Sequence, residues 1–231
     1  PDFSNSDRNL LEVMGRKVTK LVLSIYDEQT GLLKREGFEF HLQQALNLSH
    51  FKGNQHALIT LNIDNFSIVN DTIGYASGNQ LLLTITNILH EEIRDSDTLA
   101  RLGGDTFGLL LKDCPLSHAN NISEGLISRI KKITIGENSQ RHNISASIAL
   151  SEIDNKTKSI DSLLAGLDIT MMLAKDKGGD RVQLYSSNDQ DLTSRTKAMQ
   201  WVSHIQSALR DNRFVLYYQI ITPLTNTDSE E

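Results

Sequence analysis

Two polar segments of the sequence carry residue types that could take part in phosphoryl chemistry. One is "NID" at residues 62–64, which ends an apolar run, and the other is "GGD" at residues 103–105 inside "RLGGDTFGLLL". Carboxylate and carbonyl oxygens are the ligands that Mg²⁺ prefers, and the phosphates of a substrate complete its shell. The glycine pair alone predicts only a tight hairpin turn. A chemical role therefore depends on whether the fold brings the two segments together.

The elements predicted around these segments would bring them together. Apolar runs predict strands at 56–63 ("HALITLNI"), 143–150 ("NISASIAL") and 181–185 ("RVQLY"), and a hairpin formed by "TLARL" and "TFGLLL". Helices are predicted over 117–133 and over "SIDSLLAGLDITMMLAKDKGG", which stops at its glycines. The order strand, helices, hairpin, helix, strand, helix, strand is typical of a ferredoxin-like α/β sheet covered by helices. In that sheet the first strand lies beside the hairpin at the centre, so the acids at their ends converge.

Three further predictions complete the outline of the chain. "YDEQTGLLKREGFEFHLQQAL" predicts a turn at Thr30 and Gly31 and then a helix to about Leu48. Two helical stretches follow "NIDNF" and are separated by "GYASGN" at 74–79. Near the N-terminus, heptad spacing predicts a helix that either packs on its own domain or forms a short dimerising coiled coil, with Leu11, Met14, Val18, Leu21 and Ile25 along one face.

Composition excludes several classes of function. The net charge of −6 argues against binding a nucleic acid polymer, which needs clustered Lys and Arg. The single cysteine, Cys114, excludes an intrachain disulfide and a cysteine metal cluster, and it fits a reducing cytoplasm. No apolar run approaches the roughly 20 residues of a membrane span, and no signal peptide is visible. Because the sequence starts at Pro1, we expect a segment of a longer cytoplasmic protein.

Four motifs in the right order resemble those of the GGDEF domains, the diguanylate cyclases that join two GTP molecules into cyclic di-GMP. "DEQTGLLKR" resembles the family's D-x-L-T-G-L-x-N-R, with Lys34 where asparagine is usual. "NIDNFSIVNDTIGYASGN" is similar to D-x-D-x-F-K-x-I-N-D-x-x-G-H-x-x-G-D. "RLGGDTF" carries the motif that names the family, and "LAKDKGGDRV" resembles its late A-K-x-x-G-R-N segment. The resemblance covers about residues 20–185.

The resemblance implies a metal site that this chain has in altered form. The first acid of D-x-D holds the metal in the family, and Asn62 replaces it here, with an amide oxygen that could still ligate. The backbone carbonyl of Ile63 and the carboxylate of Asp105 remain candidate ligands, so weak Mg²⁺ binding is expected and no organic cofactor. Thr106 stands where the motif has glutamate. Asp64 is interpreted as a helix cap rather than a ligand.

The resemblance also implies nucleotide contacts, some of them altered. Asn70 matches the asparagine that reads guanine, whereas Asn79 replaces the aspartate that completes this reading. Lys175 matches the phosphate-binding lysine, but Gly179 occupies the position of its arginine partner. The glycine pair, Gly103 and Gly104, belongs to the same nucleotide-binding surface.

A further pair resembles the family's inhibitory site for cyclic di-GMP. "RDSD" at 94–97 has the R-x-x-D spacing and ends five residues before the paired glycines begin at position 103. Arg94 could form a forked contact with a phosphate or a guanine edge, and Asp97 could accept guanine N–H groups. The alternative interpretation is an ordinary charged helix end before a strand.

The chain continues past the domain through the polar linker "SSNDQDLTS". A predicted helix follows, and then "ALRDNRFVLYYQIITPL" resembles the start of an EAL phosphodiesterase domain, with Ile220 where proline is usual. The expected organisation is an N-terminal signalling or dimerisation helix at 1–25, a GGDEF domain at 26–186, and a linker helix with the first strand of a truncated EAL domain at 187–231.

The departures favour a degenerate regulatory domain of a GGDEF–EAL protein that senses GTP or cyclic di-GMP without cyclase activity. An adjoining EAL domain and a second copy of the chain are the expected partners. One alternative is an active diguanylate cyclase that tolerates Asn62 and Thr106. Another is a dimerisation module that binds no nucleotide.

Overall fold

The computed structural model describes residues 12–16, 24–136 and 142–186. Within them a five-stranded sheet has the strand order β2-β3-β1-β6-β7. All neighbours are antiparallel except β6 and β7, which are parallel. The first four positions follow the ferredoxin-like order, and β7 extends the sheet beyond it. The predicted α/β sheet covered by helices is confirmed.

The bounds of the elements follow the chain in a simple order. The helices are α1 (Arg35–Lys52), α2 (Phe66–Ile73), α3 (Tyr75–Glu92), α4 (Leu116–Ile130) and α5 (Ile160–Asp176). The strands are β1 (His56–Ile63), β2 (Thr98–Gly103), β3 (Thr106–Leu111), β4 (Thr134–Ile135), β5 (His142–Asn143), β6 (Ala146–Ile153) and β7 (Val182–Leu184). Strands β4 and β5 form a separate two-stranded ribbon.

Strand β1 is buried along its whole length because helices cover both faces of the sheet. Its odd-numbered side chains, such as Ile59 and Leu61, pack in one cluster with α3 and α4. Its even-numbered Leu58 packs in a second cluster with α1 and α5. Side chains alternate along a strand, so Asn62 lies on the same face as Leu58, toward α5.

Several observed helix and strand ends differ from the sequence predictions. Only Gly74, with φ +94°, separates α2 from α3, so most of "GYASGN" is helical rather than a separator. Helix α1 runs on to Lys52 and ends at Gly53 in the left-handed conformation. The run predicted as one strand at 143–150 is divided between β5 and β6.

The predicted N-terminal stripe lies mostly outside the described residues, and residues 187–231, with the rest of the linker after Ser186 and the EAL-like segment, lie wholly outside them. Across the described ranges no helix combines the length and apolarity that crossing a bilayer requires.

Candidate functional site

The candidate site begins where β1 and β3 lie side by side. Asn62 and Thr106 are directly opposite each other in this antiparallel pair, so their side chains leave the same face of the sheet. The Asn62 Nδ2 atom donates to Thr106 Oγ1 over 2.9 Å. The same nitrogen donates to Asp105 Oδ1, also over 2.9 Å. The two segments singled out in the sequence therefore meet through the Asn62 amide.

The hairpin tip holds Asp105 beside β1. Gly103 has φ +144° and Gly104 has φ +51°, backbone angles that residues with a Cβ rarely adopt. The carbonyl of Asp105 accepts a hydrogen bond from the Ile63 amide over 3.2 Å. The glycines thus provide the turn, and this backbone contact fixes the acid next to the end of β1.

Helix α5 brings Lys175 into the same group. Its Nζ atom donates to Asn62 Oδ1 over 2.6 Å. An ammonium group can only donate and a carboxylate can only accept, so the amide must face Lys175 with its oxygen and Asp105 with its nitrogen. The contacts of the Asn62 side chain are therefore fixed by the chemistry of its neighbours.

This arrangement does not fit a divalent cation. Mg²⁺ needs oxygen lone pairs, and the space between Asp105 and Thr106 receives the N–H groups of Asn62 instead. In residues 12–16, 24–136 and 142–186 no group of three or more His, Cys, Asp or Glu side chains could hold a metal ion. Of the expected metal ligands, Asn62 turns its amide nitrogen, not its oxygen, toward Asp105. Asp105 contributes the single carboxylate among the side chains that meet here.

Asp64 has a structural role different from the predicted helix cap. Residue 65, in the left-handed conformation, precedes α2, and no side-chain hydrogen bond caps that helix. The Asp64 carboxylate instead accepts hydrogen bonds from Ser147 Oγ over 2.7 Å, Ser145 Oγ over 2.9 Å and the Asp180 amide over 3.0 Å. The cap prediction is wrong because this carboxylate ties β1 to β6 and to the loop after α5.

The same carboxylate explains why residue 179 is small. Gly179 is buried and has φ +69°, and a Cβ there would lie 3.0 Å from Asp64 Oδ2. The position that the resemblance assigns to a phosphate-binding arginine is thus occupied by a backbone packed on Asp64. An arginine at this position would be strained.

The predicted guanine-reading residues lie on two adjoining helices. Asn70 is half-buried on α2, and Asn79 is exposed on α3. A Cβ on Gly78 would lie 1.9 Å from Asn70 Oδ1, so the Asn70 side chain rests directly on the backbone of α3. The glycine at position 78 is what leaves room for this asparagine.

Arg101, for which the sequence indicated no role, holds the hairpin tip to the segment before α1. Its Nε and Nη2 atoms donate to the Gly104 carbonyl over 2.9 and 2.8 Å. Its Nη1 atom donates to Asp27 Oδ1 over 3.0 Å and to Gln29 Oε1 over 2.8 Å. Burial raises the pKa of Asp27, but hydrogen bonds from Thr30 and Arg101 outweigh it and lower the pKa below its usual value. The position of Arg101 directly before "LGGD" was the sequence feature that could have indicated this contact with the hairpin tip.

The predicted pair Arg94 and Asp97 lies at the other end of the hairpin. Asp97 accepts from the Arg94 amide and from the Lys112 amide, each over 2.9 Å, so its carboxylate orders the turn before β2. The Arg94 side chain is exposed and borders a cleft of about 310 Å³ that Tyr26 and His90 also line. The pair is therefore adjacent to an open cleft, and the carboxylate of Asp97 already accepts hydrogen bonds from two backbone amides.

The structure brings four of the predicted site residues into one hydrogen-bonded group: Asn62, Asp105, Thr106 and Lys175. Asn70 and Asn79 lie on α2 and α3, and Arg94 and Asp97 flank the turn into β2. The chain thus has a central polar group, an asparagine-bearing helix pair and a separate cleft.

Two curated relatives are named as enzymes that act on cyclic di-GMP or its precursor. The chain is 33% identical over 174 residues to a probable diguanylate cyclase, DgcE of Escherichia coli, covering 75% of this chain and 16% of that protein. It is 27% identical over 199 residues to the cyclic di-GMP phosphodiesterase PdeB of Shewanella oneidensis, covering 86% of this chain and 23% of that protein. The chain therefore spans less than a quarter of the length of either relative.

Solved structures share the fold. The coiled coil and GGDEF domain of DgcB from Caulobacter crescentus, in complex with cyclic di-GMP, superposes with a TM-score of 0.69 at 21% identity, covering 78% of this chain and 95% of that one. The GGDEF domain of PA1120 from Pseudomonas aeruginosa gives a TM-score of 0.66 at 28% identity, covering 73% and 99%. The family model described as "Diguanylate cyclase, GGDEF domain" matches residues 24–181. The chain belongs to the GGDEF domain family.

Proposed function

We propose that this GGDEF domain is a regulatory domain of cyclic di-GMP signalling that binds guanine nucleotide and does not make cyclic di-GMP. The observation that carries the proposal is the Asn62 amide, which donates to both Asp105 and Thr106. A diguanylate cyclase needs metal-bound phosphates at this point, and here two N–H groups fill the space between the remaining oxygens.

The rise in the activation barrier expected from the missing carboxylates supports a silent cyclase site. Attack of a ribose 3′-hydroxyl on a phosphate needs cations held against the phosphates by negative charge. Asp105 supplies one carboxylate, and Asn62 and Thr106 are neutral. Loss of a single charge-assisted contact is worth about 1.5–3 kcal/mol, and a barrier raised by about 4 kcal/mol slows a reaction roughly a thousandfold. Two missing carboxylates are therefore sufficient to slow turnover roughly a thousandfold.

Several features support the binding of a guanine nucleotide without turnover. Asn70 offers an amide that can pair with a guanine edge, and the open glycine turn at Gly103 and Gly104 gives a phosphate close access to the backbone. Lys175 is exposed at the end of α5 and can exchange its Asn62 contact for a phosphate oxygen. Asn79 in place of an aspartate weakens the recognition of guanine, so moderate affinity is expected.

Calorimetric titration of the purified chain with GTP, and separately with cyclic di-GMP, tests the proposal. We expect saturable binding of at least one of them, and a weaker interaction of GTP with an Asn70→Ala variant. ATP serves as the control ligand because it has the same phosphates and a different base edge. Absence of binding to either guanine ligand would contradict the proposal and favour a domain that only dimerises.

A second candidate site takes cyclic di-GMP at Arg94 and Asp97. The observation that favours it is the cleft of about 310 Å³ beside the exposed Arg94 guanidinium. A guanidinium can bind a phosphate or a guanine edge with two parallel hydrogen bonds. Such a site would let the domain sense the signalling molecule itself rather than GTP.

The whole protein is proposed to couple this domain to an EAL domain in the cytoplasm. The C-terminal resemblance to the start of an EAL domain supports it, and one curated relative is named a cyclic di-GMP phosphodiesterase. The proposed unit of signalling is a homodimer, in which nucleotide occupancy passes through the linker segment to the adjoining domain.

A further inference from the structure

We infer that Lys175, Asn62 and Asp105 form an internal substitute for a divalent cation, so that the hairpin tip is held without metal and rejects one. The three side chains are called the relay below. The relay joins an ammonium group to a carboxylate through one amide, with hydrogen bonds of 2.6 and 2.9 Å. The relay is complete in the nucleotide-free chain.

The hydrogen-bonding capacity of Asn62 is what makes the relay complete. The amide nitrogen has two donors, and these reach Asp105 Oδ1 and Thr106 Oγ1. The amide oxygen accepts from Lys175 Nζ. A metal ion between Asp105 and Thr106 would have to displace both donors, because an amide nitrogen offers no lone pair for coordination.

Within the relay, each end of the Asn62 amide dipole faces a charge of the opposite sign. The negative end of the amide dipole faces the ammonium group of Lys175, and the positive end faces the carboxylate of Asp105. Asn62 is 8% exposed, and burial strengthens such hydrogen bonds because the local dielectric constant is low. One positive and one negative charge are therefore balanced inside the chain, which is the task that a cation performs in a site with several carboxylates.

Residue 62 decides which arrangement forms. An aspartate there would put a second carboxylate at the place of an N–H donor, within hydrogen-bonding distance of Asp105 Oδ1. Two carboxylates at that distance repel each other unless a proton or a cation lies between them. The single change Asn62→Asp should therefore convert a metal-independent group into a metal-dependent one.

The relay also restricts the class of ligand. A phosphate that approaches Lys175 competes with the Asn62 oxygen for the ammonium group, and no divalent cation helps it. The ligand favoured at this point is a nucleotide phosphate without a coordinated metal. Binding of such a ligand would be insensitive to chelators.

Thermal unfolding of the full chain with a chelator, and then with Mg²⁺ or Mn²⁺, tests the relay. We expect the same Tm in both conditions for the unmodified chain. Asn62→Asp should unfold at a lower Tm with the chelator and recover with Mn²⁺. The matched control is Lys177→Met, which changes a nearby exposed lysine whose Nζ atom donates to Gln183 Oε1, and it should not change the response to cations. The inference would be overturned if cations raised the Tm of the unmodified chain as much as that of Asn62→Asp. It would also be overturned if cations did not raise the Tm of Asn62→Asp.

A second measurement keeps the inference testable if Asn62→Asp does not fold. Titration of Mn²⁺ followed by electron paramagnetic resonance on the unmodified chain should give no saturable binding. Lys175→Met should lower the Tm more than Lys177→Met, because it removes the cation from a buried amide. Saturable Mn²⁺ binding or equal effects of the two lysine variants would contradict the relay. These readouts use no nucleotide, so their failure is distinguishable from a failure of the proposed nucleotide binding.

Discussion

The side chain of Asn70 lies in the space that a Cβ on Gly78 would occupy, with Asn70 Oδ1 only 1.9 Å from the ideal Cβ position. The two residues belong to consecutive helices, α2 and α3, that only Gly74 separates. The position of the candidate guanine-reading amide is therefore set by a missing side chain on the neighbouring helix.

Gly78→Ala is expected to weaken GTP binding without unfolding the domain. The new methyl group must displace the Asn70 side chain, because a distance of 1.9 Å is far below any real contact. Calorimetric titration with GTP should show an affinity at least about tenfold lower, the loss of one good hydrogen bond to a ligand. Gly125→Ala is the control, since nothing lies within 4 Å of its Cβ position. Unchanged affinity in Gly78→Ala would remove Asn70 from the nucleotide site.

Arg101→Lys is expected to destabilise the domain by about 2 kcal/mol, because lysine cannot bridge Gly104, Asp27 and Gln29 together. The side chains of Arg101 and Asp27 are only 12% and 22% exposed, so solvent screens this ion pair weakly. Chemical denaturation monitored by circular dichroism measures the change. Arg35→Lys is the control, because Arg35 forms a looser 3.7 Å pair with Glu39 at a half-exposed position. Equal effects of the two changes would contradict the bridging role.

Stability is expected to decrease as the pH falls below about 6.5, the ordinary pKa of histidine. Burial lowers the pKa of His56, and its Nδ1 atom accepts from the Asp113 amide, which requires the neutral ring. The unfolded chain takes up a proton near pH 6.5 while the folded chain does not, so acid favours unfolding until the pH reaches the folded pKa. Urea denaturation at several pH values measures this slope.

The variant His56→Asn separates this group from the rest of the molecule. Its amide oxygen can still accept from Asp113, and it does not titrate. We expect a smaller slope below pH 6.5, and His41, whose pKa burial also lowers, contributes to the slope that remains. A slope that His56→Asn does not reduce would contradict the assignment.

Arg94→Ala is expected to abolish cyclic di-GMP binding at the cleft while leaving the Tm unchanged, because this side chain is exposed. Asp97→Ala is not equivalent, since its carboxylate orders two backbone amides and its loss also destabilises the turn. Calorimetry on the unmodified chain, Arg94→Ala and the charge control Lys132→Ala separates the effects. Equal binding by all three proteins would eliminate this cleft as the site.

The sequence predicted the sheet because its strands and its hairpin follow from short-range patterns: apolar runs identified the strands, and the glycine pair identified the hairpin tip. The order of the elements along the chain is typical of a ferredoxin-like sheet, and this order predicted that the two polar segments meet. The family model then confirmed the family that the ordered motifs had indicated, and the structural neighbours share the fold.

The sequence could not predict which atoms of the site contact each other. Lys175 and Asn62 are 113 positions apart, and Asp64 and Asp180 are 116 apart. No local pattern reveals that Asp64 pairs with β6 rather than caps α2, because its partners come from distant strands and loops. The orientation of the Asn62 amide likewise depends on two partners, Lys175 and Asp105, that only the folded chain assembles.

The most direct test of the silent cyclase site is chromatography of labelled GTP after incubation with the chain and Mg²⁺ or Mn²⁺. We expect no cyclic di-GMP from the unmodified chain or from Thr106→Glu, because in both the Asn62 N–H groups still face Asp105. An active diguanylate cyclase assayed in parallel verifies the conditions. Clear production of cyclic di-GMP by the unmodified chain would contradict the account and leave an active cyclase in its place.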